Sequence, residues 1–231
     1  FAQYLTDHKG IGFYFRIDGA KLKSFQGHAL SEEHWTSVFT HYFELMIGRQ
    51  YIEVLARLFD KQVINKNNLE KIICEIKNLL DFTNMTTLLS IIEEFDLRIK
   101  EVETYLGNVP FYKEPFRPTN RGFLSGALSF GIPKLLHGII EELKDVKFIL
   151  LLDEYENFLL NQQKVINTLL RFTDANVKFR IGMRLEGFRT FAMISDDDFI
   201  KEGREYRKVV FEEVLSKNSG YQDFLMEISR K

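Results

Sequence analysis

The chain contains one cysteine, four prolines and one tryptophan among its 231 residues. Because Cys74 stands alone, an intrachain disulfide framework and a cysteine-built zinc site are excluded, and this usage is typical of a reducing cytosol. No apolar run approaches the roughly 20 residues that span a bilayer. The net charge of −2 provides no global field that attracts nucleic acid or an anionic membrane surface. Any such binding must come from a local patch.

Apolar and aromatic residues are plentiful. The hydrophobic fraction is 45%, the charged fraction is 28%, and 22 residues are phenylalanine. These fractions are near the globular average, which argues against disorder, collagen and coiled-coil rods. A chain of this size buries roughly 70% of its unfolded surface. We therefore expect a folded chain with a well-filled core.

The first half predicts one strand followed by helices. Residues 12–18 alternate apolar and polar side chains in the period of a short strand. Ser31 is a predicted N-cap, and an apolar stripe at helical spacing then predicts a long helix to about Asp60. Residues 61–106 predict two or three further helices. Three prolines predict an extended surface connector over residues 109–118, because the residue before a proline avoids helical geometry.

Strands and helices alternate in the second half. Residues 146–152 form a nearly continuous apolar run, which is typical of a parallel strand covered on both faces. A helical pattern follows, residues 177–183 alternate as a second strand, and residues 206–214 predict a third. The chain ends in a helical pattern of four apolar residues, Tyr221, Phe224, Leu225 and Ile228. This βαβ order predicts an α/β fold, with a parallel sheet flanked by helices.

Two adjacent carboxylates follow the apolar strand directly. Ligands of open α/β sheets bind beyond the carboxyl ends of the strands, and Asp153 and Glu154 stand at such an end. Magnesium-nucleotide chemistry uses this pair, because one carboxylate holds Mg²⁺ and the next positions or deprotonates the attacking water. Asp153 is then the metal-shell residue and Glu154 the catalytic base. The alternative is that a helix starts here, with Asp153 as its N-cap and with Glu154 and Glu156 favouring its dipole.

Arg184 follows the next predicted strand, so it is expected at the same edge of the sheet. A guanidinium there can sense or neutralise a γ-phosphate. The alternative is an ordinary ion pair with Glu154, Glu156 or Glu186.

Several segments resemble one known family in their order and spacing. They are residues 151–157 (Leu-Leu-Asp-Glu-Tyr-Glu-Asn), 162–169 and 180–190, with residues 15–17, 25–27, 35–43 and 202–206. Together they look like prokaryotic AAA-type P-loop ATPases related to origin-recognition and initiator proteins. The resemblance implies one ATPase-core fragment over residues 1–231, with a mainly helical insertion at about residues 61–118.

The resemblance also implies cofactors and residue roles. ATP and Mg²⁺ are the expected cofactors, Asp153 and Glu154 occupy the Walker B positions, and Arg184 occupies the sensor position. Arg204 or Arg207, before the last predicted strand, is implied to be a finger that reaches the nucleotide of a neighbouring subunit.

The phosphate-binding loop of such proteins, Gly-x₄-Gly-Lys-Ser/Thr, is missing from this sequence. Residues 126–131 and 182–187 imitate its spacing, but Ile132 and Phe188 stand where the lysine belongs, so both segments are interpreted as decoys. In the family the loop and a central strand come immediately before this region, and residues 1–9 would be the tail of the helix that follows the loop. We expect either an upstream loop in a longer natural chain or a degenerate domain whose central strand comes from elsewhere.

Three other reactive side chains are interpreted as structural. His34 and His41 lie on one predicted helix beside aromatic residues, which favours packing over metal binding. Cys74 is predicted to be a small core residue.

These features predict ATP binding and hydrolysis coupled to conformational switching or assembly, in a DNA-related or bacterial defence system. The fragment alone is expected to be inactive, because its phosphate-binding loop is missing. The expected partners are nucleotide and either a further copy or an effector protein, with DNA as an additional candidate and no membrane. Two alternatives stay open: a non-hydrolysing ATPase-fold scaffold, and a metal-dependent nuclease built on Asp153, Glu154 and Glu156.

Overall fold

A parallel sheet forms the centre of the molecule. The structure, a computed structural model, describes residues 9–81, 85–184, 186–195 and 197–210. Within these ranges the sheet has three strands in the order β1-β2-β3, with both pairs parallel. The strands are β1 (Gly10–Phe15), β2 (Lys147–Leu152) and β3 (Val177–Ile181). The parallel α/β sheet predicted from the sequence is confirmed.

Six α-helices are described around this sheet. They are α1 (Gly19–Lys23), α2 (Glu32–Asp60), α3 (Lys66–Leu80), α4 (Leu88–Tyr112), α5 (Gly131–Ile139) and α6 (Leu160–Arg171). Two short 3₁₀ turns, Glu141–Leu143 and Tyr155–Asn157, flank β2. No helix in the described ranges has the length and apolar character needed to cross a membrane.

Helix α2 begins and ends where the sequence predicts. The Ser31 hydroxyl accepts a hydrogen bond from the backbone N–H of His34 at 3.1 Å, which is the expected N-cap. Gly48 lies inside α2 at the point where α4 approaches it closely. A Cβ atom at Gly48 would be 2.8 Å from the ring of Phe95 on α4, so only glycine allows this approach.

The buried face of the sheet packs against α2. The Tyr51 ring lies 4.7 Å from the Phe13 ring of β1 and 5.4 Å from the Phe148 ring of β2, measured between centroids. Helix α2 also contacts α4 and α6. When right-handed crossovers connect successive neighbouring strands in one direction across a sheet, the connecting helices lie on the same face. The main core is therefore expected on this face.

The predicted connector at residues 109–118 is wrong in its first part, because α4 continues to Tyr112 with Pro110 inside it. Two facts explain this. Proline in the last turn removes only one helical hydrogen bond, and the residue before it, Val109, is 1% exposed in the core. Burial of Val109 therefore outweighs the extended preference of a residue before proline. The helix ends at Lys113, whose φ is 54°.

The prediction that Cys74 is a core residue is also wrong, because its side chain is exposed. Helix α3 buries the stripe Ile72, Ile76 and Leu80. Cys74 lies two residues after Ile72, which is the opposite side of a helix with 3.6 residues per turn.

The predicted strand at residues 206–214 falls partly outside the described residues. Within the described part, Tyr206 makes an isolated parallel bridge with Glu202, and residues 207–210 are irregular. Residues 211–214, the helical pattern at residues 221–228 and the predicted helix tail at residues 1–8 lie outside the described ranges.

Candidate functional site at the carboxyl edge of the sheet

The three strands end in register, so the residues after them meet at one edge. Phe15 pairs with Leu152, and Leu152 pairs with Ile181. The backbone N–H of Asp153 donates to the carbonyl of Phe15 at 3.0 Å, and that of Gly182 donates to the carbonyl of Leu152 at 2.8 Å. The predicted convergence of the acid pair with the segment after β3 is therefore present.

Asp153 is held by a side chain of the neighbouring strand. The Tyr14 hydroxyl of β1 donates to Oδ2 of Asp153 at 2.7 Å, and the backbone N–H of Glu154 donates to Oδ1 at 2.9 Å. The hydrogen bond from Tyr14 lowers the pKa of Asp153, and the same bond raises the pKa of Tyr14. Asp153 is consequently a carboxylate at neutral pH, with its two oxygens oriented from both sides.

Gly182 leaves free space beside that carboxylate. A Cβ atom at this position would lie 3.1 Å from Oδ1 of Asp153 and 3.7 Å from the carbonyl oxygen of Leu152. Any larger side chain would crowd the carboxylate. The absence of a side chain at Gly182 is thus part of the site's shape.

Glu154 is bound by Arg16, the residue that follows β1 directly. One guanidinium nitrogen of Arg16 lies 2.5 Å from Oε1 of Glu154, and the Asn157 side-chain amide donates to Oε2 at 3.3 Å. The backbone of Glu154 is left-handed, with φ 55° and ψ 40°. Such a conformation is unusual for a residue with a side chain and is found preferentially at functional sites.

The helix-start interpretation of the acid pair is wrong. Helix α6 begins at Leu160 with Leu159 as its N-cap, so Asp153 does not cap it. The turn Tyr155–Asn157 follows the acid pair directly, and it begins without a side-chain cap. The carboxylates are therefore occupied by Tyr14 and Arg16 rather than by a helix terminus.

Arg184 stands after β3 at the same edge, but its ion pair is with Glu156. The distance from its Nε to Oε1 of Glu156 is 3.3 Å, and 88% of its side chain is exposed. The ion-pair alternative therefore describes the position of Arg184 in this structure. Together with Glu186, Gly187 and Arg189, these two residues line a shallow pocket.

Helix α6 fixes the segment that follows Arg184. The buried Gln163 amide donates to the carbonyl of Gly187 at 2.9 Å, and its oxygen accepts from the N–H of Arg189 at 2.9 Å. The buried Asn167 amide donates to the carbonyls of Thr190 and Ala192. These amides replace a strand partner for this irregular backbone.

Arg204 is not brought together with the acid pair. Its Nε is 3.2 Å from Oε1 of Glu205, which also binds the Arg171 guanidinium. Arg171 is the last residue of α6, which runs from the carboxyl edge back towards the start of β3. Arg204 therefore lies near the opposite edge of the sheet, and the predicted action of Arg204 or the exposed Arg207 on a neighbouring subunit stays a prediction.

Residues 126–131, which imitate the spacing of a phosphate-binding loop, bind the buried carboxylate of Glu44. The N–H groups of Gly126, Leu128 and Ser129 donate to the Glu44 carboxylate at 2.8, 2.7 and 2.9 Å, and the Ser129 hydroxyl donates at 2.9 Å. Glu44 is 1% exposed on α2, and burial raises its pKa against the effect of these donors. The sequence gives little signal for this, since the partners are 82 to 85 residues apart.

The predicted packing role of the two histidines is confirmed. Nδ1 of His41 accepts from the N–H of Phe123 at 3.1 Å, and Nε2 of His34 is 3.0 Å from the Tyr105 hydroxyl. Burial, and then the charge of Arg98, lowers the pKa of His41 to about 4. No group of three or more His, Cys, Asp or Glu side chains in the described ranges forms a metal-binding cluster.

Comparison with known proteins supports the relationship that the motifs indicate. The family model described as ORC-CDC6-like matches residues 2–231, nearly the whole chain. This match supports an AAA-type, initiator-like relationship and an ATPase-related fold. Searches of curated proteins and of solved structures gave no match. On the strength of the family match, the chain belongs to the ORC-CDC6-like family.

Proposed function

We propose that the chain is part of an ATPase core that binds and hydrolyses ATP, with Asp153 and Glu154 as its Walker B pair. The observation that supports this most strongly is the position of the pair, at the carboxyl edge of the central parallel strand. In this proposal residues 1–231 are one fragment of that core, with a helical insertion at about residues 61–118 that contains α3 and α4.

The residues at this edge suit a magnesium ion. Asp153 is ionised, as the lowering of its pKa by Tyr14 implies, and Gly182 leaves room beside its Oδ1. Mg²⁺ prefers carboxylate oxygens and retained waters, so Asp153 would hold the ion through water. When bound, the ion supplies Lewis-acid polarisation of phosphate oxygens. Tyr14 keeps the Asp153 carboxylate charged and fixed in orientation.

Glu154 is proposed to accept the proton of the attacking water. In the structure a guanidinium nitrogen of Arg16 lies 2.5 Å from Oε1 of Glu154, so this oxygen is already bound to a cation. A guanidinium at this distance competes with a water molecule for the same oxygen. Turnover therefore requires Glu154 to leave Arg16, and the pair provides a point at which activity can be controlled.

The arginines are proposed to act on the phosphates. Arg184 is exposed and bound only at 3.3 Å to Glu156, so its guanidinium can turn towards a γ-phosphate at the same edge. Arg204, which lies away from the acid pair in its own chain, would act across an interface between copies. Self-association, an effector protein or DNA would then receive the conformational change, in a DNA-related or prokaryotic defence system.

A non-hydrolysing scaffold is the second candidate. The pairing of both acids within the chain favours it, because Tyr14 and Arg16 satisfy Asp153 and Glu154 without a ligand. In that case the ATPase fold would be kept for protein interaction, and the acid pair would be structural.

ATP turnover by the complete natural chain, compared with its Glu154→Gln variant, tests the proposal. The variant keeps the size of the side chain but removes its basicity, so hydrolysis should fall by about 100-fold or more while nucleotide binding survives. Glu93→Gln, on the exposed surface of α4, is the matched control and should hydrolyse ATP like the parent. Failure of the parent and both variants to bind ATP would refute the ATPase proposal and favour the scaffold.

A further inference from the structure

The two oxygens of the Glu154 carboxylate have different partners. Arg16 lies 2.5 Å from Oε1, and the side-chain amide of Asn157 donates to Oε2 at 3.3 Å. The Arg16 side chain is 61% exposed, and it lines an open pocket with Asp18, Gly19 and Glu154, whereas Asn157 is half-buried. An exposed ion pair contributes little free energy, because water competes for both charges. The Arg16 contact is therefore the one that can open, while the Asn157 contact persists.

The turn that carries Asn157 is anchored in the core on both sides. Tyr155 and Phe158 are buried, and their ring centroids lie 5.2 Å apart. Within the turn, the backbone N–H of Asn157 donates to the carbonyl of Glu154 at 2.9 Å. Packing and this hydrogen bond therefore fix the backbone of Asn157 relative to Glu154, as a group that must orient another side chain requires.

Helix α1 packs against the Asn157 amide. A Cβ atom at Gly19, the first residue of α1, would lie 3.3 Å from Cγ and 3.5 Å from Nδ2 of Asn157. The helix is in turn bound to α6, because the buried amide of Gln162 donates to the carbonyl of Leu22 at 2.9 Å. A side chain at position 19 would crowd the amide, so the glycine is part of what leaves Asn157 its place beside Glu154.

We propose that Asn157 is a positioning residue for Glu154, an inference that rests on the proposed ATPase function. Asn157 keeps Oε2 in place when Oε1 leaves Arg16, so that the freed oxygen stays directed at the attacking water. The proton of that water passes to Oε1 as its oxygen bonds to the γ-phosphorus and the bond from that phosphorus to ADP breaks. Asn157 itself neither gains nor loses a proton. Its contribution is to restrict rotation of the carboxylate, which lowers the entropic part of the barrier.

Steady-state ATP hydrolysis by the complete natural chain tests this role. Asn157→Ala should lower kcat about tenfold, while KM for ATP and the urea midpoint of unfolding stay those of the parent. Asn108→Ala, at an exposed asparagine of α4, is the control and should leave kcat unchanged. An Asn157→Ala variant that keeps the kcat of the parent, or that loses ATP binding or stability instead, would overturn the proposal.

Gly19 provides an independent check through the same amide. Gly19→Ala should lower kcat about threefold in the parent, because its methyl group displaces the Asn157 amide. In the Asn157→Ala background the same change should cause no further loss, because that variant has no amide to displace. Equal losses of kcat in the two backgrounds would show that Gly19 acts without Asn157 and would overturn the proposed positioning.

Nuclear magnetic resonance provides a measurement that does not depend on turnover. In asparagine-labelled protein, the side-chain amide signal of Asn157 is identified by its loss in Asn157→Ala. This signal should shift in Glu154→Gln and stay in place in Glu93→Gln, and a signal that ignores Glu154→Gln would overturn the contact. A parent that shows the shift but does not hydrolyse ATP would refute the ATPase proposal and this role with it. Hydrolysis that depends on Glu154 but not on Asn157 would overturn the positioning role alone.

Discussion

The carboxylate of Glu44 gives the sharpest prediction about stability. Oε1 accepts hydrogen bonds from the Gly126 N–H and the Ser129 hydroxyl, and Oε2 accepts from the N–H groups of Leu128 and Ser129. In Glu44→Gln the best placement puts the amide oxygen at the Oε2 position, because two backbone donors meet there. The amide nitrogen then faces the Gly126 N–H, while the Ser129 hydroxyl can rotate to accept.

The cost follows from this geometry. One buried N–H group loses its acceptor, at about 1–3 kcal/mol, and two bonds lose the assistance of a charge, at about 1 kcal/mol each. Removing a buried charge recovers part of this, since burial of Glu44 is itself unfavourable. The free energy of unfolding should therefore fall by about 2–4 kcal/mol.

Urea unfolding of the complete chain measures the loss, and hydrogen exchange at Gly126 locates it. Glu93→Gln on α4 makes the same chemical change at an exposed side chain. Its free energy of unfolding should stay within about 0.5 kcal/mol of that of the parent. If Glu44→Gln unfolds at the same urea concentration as Glu93→Gln, with unchanged exchange at Gly126, the reasoning about the buried carboxylate is refuted.

Three further changes address the candidate site and its support. Arg16→Ala frees Glu154 from an exposed ion pair, so ATP turnover by the complete natural chain should rise, by up to about fivefold. Gly182→Ala crowds the Asp153 carboxylate at 3.1 Å and should lower turnover roughly three- to tenfold, with a change in unfolding free energy below about 1 kcal/mol. Burial lowers the pKa of His41 from 6.5 to about 4 in the folded state. The free energy of unfolding therefore has its full value above pH 6.5, and it falls by up to about 3 kcal/mol as the pH drops towards 4. Urea unfolding across this range measures that loss.

Matched variants separate these effects from general damage. Arg57→Ala removes another exposed arginine of an ion pair and should leave turnover unchanged. Gly107→Ala adds a methyl group where no atom lies within 4 Å, so turnover should not fall. His41→Asn keeps an acceptor for the Phe123 N–H but does not titrate. An equal loss of stability in acid for this variant and the parent would contradict the assignment to His41.

The sequence predicts those parts of the fold that depend on local pattern. The apolar run of β2, the alternation of β1 and β3 and the Ser31 cap of α2 are all recovered, with strand bounds that differ by a few residues. Pro110 and Cys74 show the limit of local rules. Burial of Val109 keeps Pro110 inside α4, and the angular position of Cys74 on α3 leaves it exposed.

The candidate site is predictable only in part for a related reason. Asp153 and Glu154 are adjacent, and their position after an apolar strand indicates an edge of a sheet. Their partners come from β1 and from the residue directly after it, 138 to 139 residues away. Nothing in local spacing pairs Tyr14 with one acid and Arg16 with the other. The register of β1 on β2 decides these contacts, and register belongs to the folded sheet.

That register makes β1 the element through which the site is connected to the rest of the molecule. Tyr14 lies in β1 and Arg16 directly follows it, and they hold Asp153 and Glu154 respectively. A change in Tyr14 would alter the orientation of the Asp153 carboxylate, and a change in Arg16 would alter the engagement of Glu154. The state of both carboxylates thus depends on these two side chains, which come from one end of β1. A partner that binds at this end of β1 would therefore act on both carboxylates without contacting β2 or β3.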